Sequence, residues 1–255
     1  MAVDYELEGK KALVTGGGQG VGRGIALMLA EAGATVLVND FVASRAESVV
    51  AEIIAAGGKA QAAPFDVTNF ELVHESFGGF GGVDILVVAS GMNDVAPIVD
   101  MAPERFQKVM LANVDGAWLI ARAVGRQMIA QGRGGKIVFT SSARGKLGHP
   151  AGYSAYCTSK SAVDGMTKAL GCEWGKHGIT VNAIAPTVFR SPLTEWMFAD
   201  DEKAKVVRAG FLARVPIGRL GEPEDLAGPV LFLCSRASDF HTGHIIYADG
   251  GYTAG

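Results

Sequence analysis

The 255 residues carry 23 Lys and Arg against 26 Asp and Glu, a formal charge of -3, and 49% of them are hydrophobic. With no long basic or acidic run, the chain offers no electrostatic case for nucleic acid or an anionic membrane surface, and no apolar run reaches the ~20 residues that span a bilayer. One large α/β domain with a buried core, acting on a small molecule, fits these bounds, since no Pro/Ser-rich linker or composition break divides the chain. The first six residues lack the basic start and apolar stretch of a signal peptide, so the expected location is the cytoplasm. Cys157, Cys172 and Cys234 are too few and scattered for a disulfide framework and are expected to be buried thiols. His241 and His244 lack the further ligands that a zinc site needs, so no metal is expected.

Short Val/Ile/Leu runs alternate along the chain with segments of helical period, the pattern of βα units around a parallel sheet buried on both faces. The first predicted strand, 12–15, runs into Gly16-Gly17-Gly18-Gln19-Gly20-Val21-Gly22 and a helix at 22–32. Glycines there let backbone N–H groups approach a pyrophosphate at the positive end of a helix. The spacing is not the generic G-x-G-x-x-G, and no Gly-Lys-Ser/Thr follows to make a P-loop. The second strand, 35–39, ends at Asp40, where a carboxylate would accept hydrogen bonds from adenosine ribose hydroxyls and repel a 2′-phosphate by roughly 1 to 4 kcal/mol. Gln19 and Phe41 add no cation for such a phosphate, so NAD is expected over NADP. An N-cap role for Asp40 ahead of the next helix, 45–56, is the alternative and is compatible with ribose contact.

A third strand at 60–65, a helix at 70–77 and a glycine-rich turn at 78–82 lead to a fourth strand at 85–89. A helix at 103–131, a fifth strand at 136–141 closing on Ser142, and a helix at 154–177 follow. That last helix stacks Tyr156 and Lys160 on one face, four residues apart. Taken alone the pair could be a solvated face; beside a nucleotide turn it becomes a phenol next to an ammonium, an acid and base for proton transfer. A sixth strand at 180–185, a long segment at 187–215 read as a substrate lid, a helix at 223–235 and a seventh strand at 245–248 complete the chain. The expected fold is a doubly wound, Rossmann-like domain with a seven-stranded parallel sheet and helices on both faces. Its ligands would sit beyond the carboxyl ends of the strands, where strand order reverses.

Over about residues 7–251 the sequence resembles the one-domain short-chain dehydrogenase/reductases. The matches are Thr15-Gly16-x3-Gly20-x-Gly22, Asp66-Val67, Asn113-Val114-Asp115-Gly116, Ser141-Ser142, Tyr156-x3-Lys160, Val181-Asn182-Ala183-Ile184-Ala185-Pro186 and Asp249-Gly250-Gly251. The resemblance implies a catalytic tetrad of Asn113, Ser142, Tyr156 and Lys160, with Asn113 holding a water that links Lys160 to solvent. Tyr153 is a decoy, because Cys157 rather than a lysine lies four residues on. It further implies cofactor contacts from Gly16, Gln19, Gly20, Val21, Gly22, Asp40, Phe41, Asp66, Val67, Ser90, Gly91, Tyr156, Lys160, Pro186, Phe189 and Ser191, and a homotetramer. Val88 and Ala89 replace two asparagines usual in the family, and Thr187 replaces a glycine, so the hydrogen bonds around them must differ.

Tyrosine starts near pKa 10, and reaching 7 requires about 4 kcal/mol of preferential stabilisation of the phenolate. Lys160 and an oxidised nicotinamide would supply the positive charge, and Ser142 would hold the substrate oxygen. The reaction expected is NAD-dependent interconversion of a secondary alcohol and a ketone. Leu193, Trp196, Met197, Phe198, Phe211 and Leu212 in the lid suggest an uncharged, partly hydrophobic substrate. Arg144, Lys146, His149 and Arg190 suggest a second reading, a sugar acid or 3-oxoacyl thioester. A non-catalytic dinucleotide-binding regulator is the remaining alternative, against which the complete tetrad stands.

Overall fold

The computed structural model describes residues 5–69, 71, 73, 81–192 and 194–255. Most of the expected helix at 70–77, most of the turn at 78–82, and Leu193 therefore lie outside the described residues. Seven parallel strands, β1 Lys11–Thr15, β2 Thr35–Val38, β3 Lys59–Ala62, β4 Ile85–Val88, β5 Gly135–Thr140, β6 Ile179–Pro186 and β7 Ile245–Ala248, form one sheet in the order β3-β2-β1-β4-β5-β6-β7. The order runs outward in both directions from β1, which pairs with β2 on one side and β4 on the other. A crevice opens beyond the carboxyl ends of β1 and β4, at the point of reversal.

Eight α-helices are described: α1 Gly20–Glu31, α2 Ala43–Ala55, α3 Pro103–Met110, α4 Gly116–Gln131, α5 Ala143–Lys146, α6 Ser154–Trp174, α7 Glu202–Leu212 and α8 Ala227–Cys234. Alternation along the central strands feeds two cores. Ala12 and Val14 of β1 pack with Ile25, Leu29, Val49 and Val230 on one face, while Leu13 packs with Ile120, Val124, Phe139 and Val163 on the other. Burial on both faces is why β4 and the middle of β1 read as unbroken apolar runs. The edge strands differ: β3 alternates exposed and half-buried residues, and all four residues of β7 are half-buried. The third strand also stops at Ala62 rather than at 65, because past its end Asn39 takes over the bracing, donating to the Ala63 and Phe65 carbonyls at 2.8 and 2.9 Å.

The helix expected at 103–131 is not one α-helix. A π-helical turn at Leu111–Asp115 separates α3 from α4, and it turns Asn113 inward, 2% exposed. Extra residues of this kind in a helix commonly re-aim a side chain at a site. Likewise 223–235 opens with a 3₁₀ turn at Pro223–Leu226 before α8, and Cys172 is exposed rather than buried. Among the described residues no helix is long and apolar enough to cross a membrane.

Candidate active site

The glycine turn is built by close approach. Gly16 has φ +63°, and a Cβ there would stand 2.7 Å from the Ser90 backbone, while one on Gly22 would stand 2.1 Å from the Gly16 carbonyl oxygen. Only hydrogen fits either place, so β1, the end of β4 and the start of α1 meet without side chains between them. Gln19 precedes α1 with extended backbone and provides no side-chain cap, which leaves the first amides of a 12-residue helix aimed at the crevice. That cradle fits the pyrophosphate of a dinucleotide.

A crevice of about 200 Å³ runs from this turn, lined by Gly16, Gln19, Gly20, Val21 and Gly22, by Asp40 and Phe41, by Asp66 and Val67, and by Ser90, Gly91 and Ser191. Most of the cofactor residues expected from sequence thus share one wall. Pro186 ends β6 instead, and Phe189 borders a second cavity, its carbonyl accepting a hydrogen bond from Thr194 Oγ1. Asp40 is 4% exposed and accepts from the Val42 N–H at 3.0 Å; it is not the N-cap of α2, a place Val42 takes. Arg45 lines the same crevice, its guanidinium 6.0 Å from the Phe41 ring. Sequence reasoning missed it by stopping at Gln19 and Phe41. In place of the two usual asparagines, Val88 is core and Ala89 lines the crevice. The strand ends are tied by Ala89 N–H to the Thr15 carbonyl at 3.1 Å and by a 2.9 Å hydroxyl pair, Thr15 Oγ1 and Ser90 Oγ.

The crevice meets two of the four expected catalytic residues at Gly91, where a Cβ would lie 2.9 Å from Asn113 Oδ1 and 3.8 Å from Lys160 Nζ. Asn113 accepts from the Met92 N–H at 2.7 Å and donates to the Met92 carbonyl and Ser159 Oγ at 2.8 and 2.9 Å. Its side chain therefore clamps the loop after β4 onto α6. Ser142 lies two residues beyond β5, in extended conformation, and its Oγ accepts from the Arg144 N–H at 3.1 Å. Burial raises the Tyr156 pKa, while a hydrogen bond with Ser142 pulls it back down. Lys160, 6% exposed, donates from Nζ to the Thr140 carbonyl at 2.8 Å and stands 5.6 Å from the Tyr156 ring centre. Burial pushes its pKa down to about 8, with Asp164 opposing the fall. One of the ammonium's donors is thus held by a strand carbonyl, with the phenol ring close by.

The loop cations divide. Arg190 pairs with Glu195 and Glu222, and Lys146 donates to the Thr253 carbonyl at 3.0 Å. Arg144 and His149 stay near Tyr156, and Arg214, which sequence reasoning passed over, joins Arg144 around the Tyr252 ring at 4.4 and 5.3 Å. Several lid side chains are engaged within the protein: Met197 is buried, Phe211 stacks on Tyr252 and Phe198 lies under Arg190. The Cys157 thiol, weakly bonded to the Leu147 carbonyl, has its pKa raised by burial and is no thiolate nucleophile.

A family model described as enoyl-(acyl carrier protein) reductase matches residues 16–253. An uncharacterized oxidoreductase of Mycobacterium tuberculosis is 47% identical over 98% of this chain and 93% of its own. The chain belongs to the short-chain dehydrogenase/reductases. Among other members of this family, gluconate 5-dehydrogenase of Gluconobacter oxydans is 36% identical over 98% of this chain and 96% of its own. A solved gluconate 5-dehydrogenase from Burkholderia cenocepacia, in complex with NADP and tartrate, superposes with a TM-score of 0.92 at 34% identity, covering 99% and 98% of the two chains. The protein is accordingly a short-chain oxidoreductase acting on CH–OH groups, with a dinucleotide cofactor expected in the crevice.

Proposed function

We infer that the enzyme interconverts a hydroxyl and a keto group on a sugar acid, using NAD, with Tyr156 as the proton donor and acceptor. The observation that carries this is the Tyr156 ring 5.6 Å from Lys160 Nζ, which in turn stands beside Gly91 in the wall of a crevice with a cradle shaped for a pyrophosphate. A nicotinamide dinucleotide bound there supplies the hydride acceptor and, when oxidised, a positive ring. Tyr156 Oη takes the proton of the substrate hydroxyl and returns it in the reducing direction. Ser142 Oγ holds the substrate oxygen at the phenol, so that the proton moves along a preformed hydrogen bond. Lys160, anchored on Thr140 with its Nζ beside Gly91 of the crevice, would hold the cofactor's ribose hydroxyls. Asn113 fixes the wall between crevice and α6.

The substrate class rests on charge. Arg144, His149 and Arg214 give the region beside Tyr156 an anion-seeking character, and three of the lid side chains that suggested an uncharged substrate, Met197, Phe198 and Phe211, are engaged with other parts of the protein. Relatives named as gluconate 5-dehydrogenases point the same way. For the cofactor, Asp40 and Arg45 oppose each other, and the solved relative holds NADP. NAD remains the favoured cofactor, because Asp40 is buried at the strand end whereas Arg45 is exposed and screened by solvent. The segment at 187–215 would cover the substrate. Steady-state oxidation of D-gluconate and other aldonates, each with NAD and with NADP, tests the proposal. Turnover of a sugar acid with the higher kcat/KM for NAD is expected, and turnover of none of them would overturn it.

A further inference from the structure

We propose that Arg144, His149 and Arg214 form the subsite for the substrate's carboxylate, beside the ring of Tyr153. The inference rests on the sugar-acid reading above and says which residues make it so. Six other arginines, Arg23, Arg105, Arg133, Arg190, Arg219 and Arg236, each sit against a carboxylate. Arg144 and Arg214 have no such partner among the described residues, although they approach the same Tyr252 ring. Arg144 donates at 3.0 Å to the Gly148 carbonyl and at 3.0 Å to the Tyr252 hydroxyl. Both acceptors are neutral, and they use two of the guanidinium's five donors. Two guanidinium groups held near one ring repel each other, and an anion between them would remove the repulsion and gain charge-assisted hydrogen bonds.

His149 supplies a donor of another kind. Its Nδ1 accepts from the Ala151 N–H at 3.1 Å, so the neutral ring carries its proton on Nε2. Burial, Arg144 and Arg214 all lower its pKa, which keeps it neutral near pH 7. The three groups therefore present two charges and one uncharged N–H.

Tyr153 links this cluster to the chemistry. Its ring centre lies 4.5 Å from that of His149 and 6.4 Å from that of Tyr156, and the Arg144 guanidinium lies 5.9 Å from it. A substrate that presents its hydroxyl to Tyr156 would then carry its carboxylate past the Tyr153 ring, toward Arg144 and His149.

The bland role for Arg144 is to tie the chain's last turn to α5, and the test separates the two. D-gluconate and D-glucitol differ by a carboxylate against a hydroxymethyl group, and kcat/KM for both is measured with wild type, R144Q, R144K and R214Q. The wild-type ratio is expected to favour gluconate, to fall at least ~10-fold in R144Q and R214Q, and to fall less in R144K. Equal losses on the two substrates, or a wild-type ratio near one, would overturn the subsite and leave the sugar-acid reading standing. Failure of wild type on every sugar acid, with some other alcohol oxidised, would overturn both. Arg214 is exposed, so R214Q keeps the test decisive if the Arg144 variants fold poorly.

Discussion

Tyr156 and Lys160 are governed by burial, and burial acts on them in opposite directions. The phenol is held above its usual pKa by burial, so the positive charge of a bound, oxidised cofactor would favour its ionisation. Tyr156→Phe is expected to lower turnover at least ~10²-fold while NADH binding, read by fluorescence titration, changes little. A Phe variant of near wild-type activity would remove the proton-transfer assignment. Lys160 falls to about 8 from 10.5 on folding, so between those values the unfolded chain holds the extra proton and stability rises with pH; below pH 8 the cost of the buried ammonium is present in full. Lys160→Met removes that titration. Its stability relative to wild type, from urea unfolding, should be highest near pH 7.5 and decline toward pH 10, and a gap independent of pH would contradict the shift. The glycine turn and the shared face of Tyr156 and Lys160 were legible in the sequence, since both carry their own spacing. What could not be read was where the Lys160 ammonium points, because the Thr140 carbonyl reaches it from a strand end 20 residues away.

Elements tell a similar story at lower resolution. Apolar runs marked the central strands, because parallel strands buried on both faces leave little room for polar residues, while the edge strand β3, Lys-Ala-Gln-Ala, is half exposed. The π-helical turn at Leu111–Asp115 was invisible, since one extra residue per turn barely disturbs a helical period. Packing of α4 against α6 was equally hidden. A Cβ on Gly125 of α4 would stand 2.5 Å from Trp174 Cη2, and Trp174 is 8% exposed, so the indole has nowhere to withdraw. Gly125→Val is expected to destabilise by about 1–3 kcal/mol and to lower Tm by several degrees in calorimetry. An unchanged Tm would mean the two helices separate at little cost.

At the scale of the whole molecule, two surfaces remain to be covered. The edge strand β7 pairs only with β6, and Phe106, Leu111 and Trp118 lie exposed along α3, the π turn and α4. An unpaired edge and exposed aromatics are features that association buries, in keeping with the homotetramer expected from sequence. Light scattering should return a mass near four times the 26.5 kDa of the chain, and a mass of one chain would rule that assembly out. Tyr252 has a consequence of its own for handling this protein. It is 3% exposed, stacks on Phe211 of α7 and accepts from Arg144 of α5, so the tail is wired into the pocket loops rather than trailing from them. Trimming the chain before Tyr252, or fusing a bulky partner directly after it, would alter substrate affinity at a site on which neither change was meant to act.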